Sequence, residues 1–98
     1  MDEATMGSRV RALRNMLQAQ QGDARKICAD LDKLATEAAA LADRLSASEQ
    51  EFRAKRDYAT ASHIYKRVMS CRAVRDLAAR TVEQFTQGVK LYRDGYPL

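Results

Sequence analysis

Residues 10–45 read VRALRNMLQAQQGDARKICADLDKLATEAAALADRL, and one seven-residue rhythm runs through them without a break. Val10, Leu17, Ala24, Leu31, Ala38 and Leu45 hold one position of the repeat. Leu13, Gln20, Ile27, Leu34 and Leu41 fall three residues after the first five of these. Alternating 3-4 spacing draws a narrow apolar stripe along an α-helix, and such a stripe has to be covered by another helix. The chain is therefore read as all-α, built to pack helix on helix.

Composition agrees. Aromatics are 6% of the 98 residues and Trp is absent, while the 46% hydrophobic content leans on alanine, too little bulk for a sandwich or α/β core. Four Gly and one Pro suit long helices, and regular apolar spacing argues against disorder. The length allows one domain. No uncharged apolar run approaches the roughly 20 residues of a bilayer span. The richest stretch, Leu34 to Ala42, contains Glu37, and the start Met1-Asp2-Glu3 lacks the basic and apolar regions of a signal peptide. A cytoplasmic, reducing compartment is expected, with Cys28 and Cys71 as buried free thiols.

The stripe passes Gly22 in phase, since Leu17, Ala24 and Leu31 stay seven apart. A loop normally resets the register, so a continuous first helix over about residues 8–54 is expected, starting near Thr5 to Ser8. A break at Gly22, giving a three-helix bundle, is the alternative. Gln20 lies on the stripe; a polar residue there sets register more than stability, so Gln20→Leu is expected to raise the melting temperature and admit other assemblies.

After Leu45 the phase does change. Ala61, Ile64, Val68, Cys71, Arg75, Ala78, Val82, Phe85, Val89 and Tyr92 form a second seam, shifted by two residues from the first. Two turns fit: Ser46 to Glu51, with overlapping capping boxes, and residues 55–57, where Asp57 can cap the next helix. The second is preferred. A second helix over about 58–93 follows, and Asp94-Gly95-Tyr96-Pro97 makes a good stop before a short tail. The fold expected is a long antiparallel helical hairpin. Charge supports it: residues 21–50 carry six acids and four bases, residues 51–98 ten bases and five acids.

Asp57, Tyr58, Ala61, Ile64 and Val68, within Phe52 to Val68, resemble the turn of a UVR-type helical hairpin, although Lys66-Arg67 stands where that family has an Arg-Asp pair. The resemblance implies a local hairpin shared by scaffold proteins, and no activity. The run Val74 to Phe85 is similar to the second helix of tubulin-binding cofactor A, which implies a small tubulin-folding chaperone.

No motif carries chemistry. His63, the single histidine, has no second ligand at metal spacing; neither cysteine has an activating base; Asp30, Asp32 and Glu37 fall at solvated positions; there is no Gly-rich phosphate loop. No enzyme, cofactor or metal is expected. The informative residues lie on the second helix. Tyr65, Met69, Ala73 and Leu77, four apart, form an apolar ridge beside the seam. Either a kinked-back N-terminal segment covers that ridge or a protein partner or second copy does. Lys66, Arg67, Arg72 and Arg80 are candidates for an acidic partner, with ion pairing to the acidic first helix as the plainer use. Arg67, Arg72 and Arg75 fall at or beside the seam while Lys66 and Arg80 point outward, and such scatter argues against nucleic acid. The leading reading is a non-enzymatic scaffold or assembly subunit, as in cytoskeletal, ciliary or trafficking complexes. A tubulin-folding-type chaperone and a basic nucleic-acid-binding hairpin follow.

Overall fold

Among the described residues three helices follow in series: α1 (Glu3–Gln18), α2 (Ala24–Ala54) and α3 (Tyr58–Arg93). The structure is a computed structural model; it describes residues 1–93, with side chains described as far as Val89. The stop signal at Asp94 to Pro97 and the side chain of the seam position Tyr92 lie outside what is described. The molecule is a rod of 58 × 22 × 16 Å, and the length matches that of α3 alone at about 1.5 Å per residue.

The first helix is not continuous from 8 to 54. It starts earlier, because Asp2 caps it: the Asp2 Oδ1 accepts from the Thr5 amide at 2.8 Å. It also ends at Gln18. The chain leaves through a Schellman turn, in which the Gln20 amide bonds the Leu17 carbonyl and the Gln21 amide reaches back to that of Met16. Gln20 (φ 56°) and Gly22 (φ 79°) both take left-handed backbone. Asp23 then caps α2 by accepting from Arg25 and Lys26. Gln20 is exposed in this loop, so its expected place on the seam is wrong and the predicted gain from Gln20→Leu falls away. The stripe was read correctly as a stripe and wrongly as straight. When a helix folds back about a short loop, both halves turn the same stripe toward a common core.

That core joins all three helices. Met6, Val10 and Leu17 of α1 pack with Ile27, Leu31, Leu34 and Ala38 of α2 and with Val74 and Ala78 of α3. A second cluster, Ala42, Val68 and Cys71, continues the α2–α3 seam alone, with Leu41, Leu45 and Ile64 half-buried around it. The bundle is thus three helices thick at one end. At the other, beyond the start of α1, it is a two-helix hairpin. Gly7 sets how close α1 comes to α3: a Cβ there would lie 3.3 Å from Val74 Cγ2. Val74 is accordingly buried, and the predicted seam position Arg75 is only half-buried. Val89 is exposed.

The hairpin turn falls at residues 55–57. It is a second Schellman turn, with the Arg56 amide on the Arg53 carbonyl and the Asp57 amide on that of Phe52. Arg56 takes left-handed backbone, φ 61°, and the Asp57 Oδ1 accepts from the Thr60 amide at 3.2 Å to start α3.

Candidate docking surface

The ridge Tyr65-Met69-Ala73-Leu77 does not stay on one side of α3. Residues four apart advance roughly 40° round a helix of 3.6 residues per turn, so the ridge winds from the outer surface to the bundle interior. Leu77 is half-buried against the three-helix core. Ala73 is exposed on the rim of a groove it shares with Glu3, Ala4, Gly7, Arg11, Ser70 and Val74. Tyr65 and Met69 remain outside, each 45% exposed. The folded-back α1 therefore covers the lower end of the ridge and leaves the upper end free.

The basic residues divide in the same way. Arg67 turns inward and grips Glu3 at the start of α1: Nε to Oε1 at 2.7 Å and Nη2 to Oε2 at 3.1 Å. This two-pronged bond from Arg67 holds the Glu3 carboxyl below the usual carboxylate range, and Glu3 in turn raises the guanidinium. Arg67 thus pins α1 to α3. Arg72 lies on the outer face and not beside the seam; its Nη1 is 4.0 Å from the Met69 sulfur. Lys66 and Arg80 are exposed as well. Among the described residues none of these three has a carboxylate within salt-bridge distance. The expected ion pairing between the acidic α2 and the basic α3 does not occur there either. Among the described residues the ion pairs are Arg53–Glu49 within α2, Arg67–Glu3 across to α1, and Arg75–Asp76 within α3.

What remains on the outer face of α3 is one strip. Tyr65, Met69, Arg72, Asp76 and Arg80 recur at 4-3-4-4 spacing, all exposed, with Lys66 at the edge. Asp76 is engaged by Arg75 Nη2 at 2.9 Å. The strip offers an aromatic ring, a thioether and cations on a rigid support. An aromatic or thioether side chain supplies contact area at an interface, and a cation beside it supplies orientation.

Other chemistry is sparse. Among the described residues no group of three His, Cys, Asp or Glu could hold a metal ion, and no helix is long and apolar enough to cross a membrane. His63 is exposed. Both cysteines are free thiols, pushed up from the ordinary thiol range by burial. The least expected residue is Glu49, buried on α2 with its carboxylate held by Arg53 at 2.8 Å. A shallow pocket of about 140 Å³ between Arg14, Leu17, Gln18, Thr81, Gln84 and Phe85 lies where α1 ends against α3.

The chain matches no family model, no curated protein and no solved structure. The likenesses to UVR-type hairpins and to tubulin-binding cofactor A accordingly rest on short segments and establish no family.

Proposed function

We propose that this chain is a helical interaction module, a scaffold or assembly subunit that works by binding and not by catalysis. The outer strip of α3 takes a protein partner that presents an apolar side chain flanked by acidic groups. The observation that carries this reading is the pairing of Tyr65 and Met69, each 45% exposed, with Lys66, Arg72 and Arg80, none of which has a carboxylate within salt-bridge distance among the described residues. Large apolar side chains grouped on a surface mark contact sites more often than chance. Helix-on-strip docking would read them at the spacing found here.

The test combines partner capture from extracts of the source cells with the solution mass of the isolated chain. Tyr65→Ala with Met69→Ala should abolish retention of the protein partner, and Arg72→Glu with Arg80→Glu should weaken it, with helix content unchanged by circular dichroism. Retention that survives both pairs of changes overturns the reading. A stable monomer that retains tubulin would favour the folding chaperone. Retention on nucleic acid that falls steeply with salt would favour the basic hairpin.

A further inference from the structure

The stripe from Val10 to Leu45 keeps its phase through the very residues at which the chain doubles back. A sequence that needed only a hairpin between α1 and α2 would be free to lose register at 19–23. This one spells a continuous helix there and folds as a loop. We propose that α1 is an exchangeable arm: residues 19–23 straighten into helix, and α1 of each chain docks on α2 and α3 of a second copy.

Three observations lead to the second copy as the occupant. Phase is the first. If two straightened helices lie antiparallel about Gly22, Met6 faces the second copy's Ala38, Val10 its Leu34, Leu13 its Leu31 and Leu17 its Ile27. These are the α2 residues with which α1 shares a core within one chain. Exchange would thus rebuild the same packing between chains, and only the hinge would change.

The hinge is the second. Gln20 sits at φ 56°, a backbone that a residue with a Cβ disfavours, and Gly22 at φ 79°. A Cβ on Gly22 would also meet Met16 Cε at 3.2 Å and Ile27 Cδ1 at 3.5 Å. Straightening relieves the left-handed residues and gives the loop amides helical partners. A short, strained hinge between two elements that can run on as one is the setting in which exchange occurs.

The third is the latch. Glu3 and Arg67 are 64 residues apart in sequence and meet only because α1 docks on α3. In an exchanged pair this contact forms twice, each time between copies. Which form prevails then depends on the hinge and on chain concentration.

Gly22→Ala forbids the tight loop and favours helix, so it should tighten self-association at least about a hundredfold. Gln20→Gly relaxes the loop and weakens the helix, so it should loosen self-association about tenfold. Sedimentation from about 1 µM to about 1 mM reads both, with circular dichroism confirming the fold. Exchange itself is read by mixing Glu3→Arg chains with Arg67→Glu chains on the Gly22→Ala background. Each alone sets like charges at the latch, and only an exchanged heterodimer brings opposite charges together, so mixed dimers should exceed the statistical half. The same mixture on the natural hinge, at higher concentration, gives the reading should Gly22→Ala fail to fold. A chain monomeric throughout that range in every background, or charge-reversed chains that assort at random, overturns the proposal.

Discussion

Arg56 carries a cost that its position imposes. It ends α2 in left-handed backbone at φ 61°, which disfavours any side chain with a Cβ by about 1–2 kcal/mol. Glycine loses more chain entropy on folding but meets no such clash, so Arg56→Gly should raise stability by about 0.5–1 kcal/mol, read as a higher urea midpoint with an unchanged slope. Met6 is the opposite case. It is 1% exposed and among the largest fully buried side chains, so Met6→Ala should cost about 2–5 kcal/mol in the same measurement. The sequence carried a signal for it, since Met6 stands seven residues before Leu13. Starting the helix near Thr5 to Ser8 hid that signal, because a methionine before the cap would have no partner. Glu49 was hidden for another reason: its burial comes from where α3 crosses α2, and spacing along one helix does not reveal it.

At the level of the elements, α1 is attached by an apolar face and one latch. The bond from Arg67 lowers the Glu3 pKa in the folded chain, so the latch adds stability above the unfolded carboxylate range, near pH 4.5, and loses it as pH falls through the depressed folded value. Because Arg67 is partly exposed, solvent screening holds the contribution to about 0.5–1 kcal/mol. The wild-type chain should exceed Glu3→Gln in urea midpoint by that amount at pH 7. The two should converge as pH falls from about 4.5 through the depressed folded value. Convergence at neutral pH would mean that the latch is idle. The hairpin turn at 55–57 was legible because its chemistry is local: Asp57 caps whatever α3 does elsewhere. The loop at 19–23 was not, since an in-phase stripe serves a straight helix and a folded one equally well.

Across the whole molecule, one end is three helices thick and the other two, and the thiols report on this division. Cys71 is fully buried in the α2–α3 seam, while Cys28 is half-buried beside the three-helix core. Both thiols are shifted toward the protonated, unreactive form. Alkylation by iodoacetamide, resolved by peptide mass, should therefore label Cys28 first. Cys71 should react only at the rate of global unfolding, at least about tenfold slower. Equal labelling would show that the seam opens without the rest. The outer strip of α3 belongs to this scale too. The ridge was named from spacing and the cations from charge, but the sequence could not say which of these residues α1 would take. Arg67 and Leu77 went inward, and Tyr65, Met69, Lys66, Arg72 and Arg80 stayed out.

The sequence by itself determined that the chain is helical, the register of each stripe and the preference for the turn at 55–57, because periodicity and capping are properties of neighbouring residues. The tertiary structure alone decided that the first stripe doubles back, that Met6 and Val74 join the core, and that Arg67 answers Glu3. Those outcomes depend on how three faces close on one another, and the free energy of closing them is shared among residues far apart in the chain.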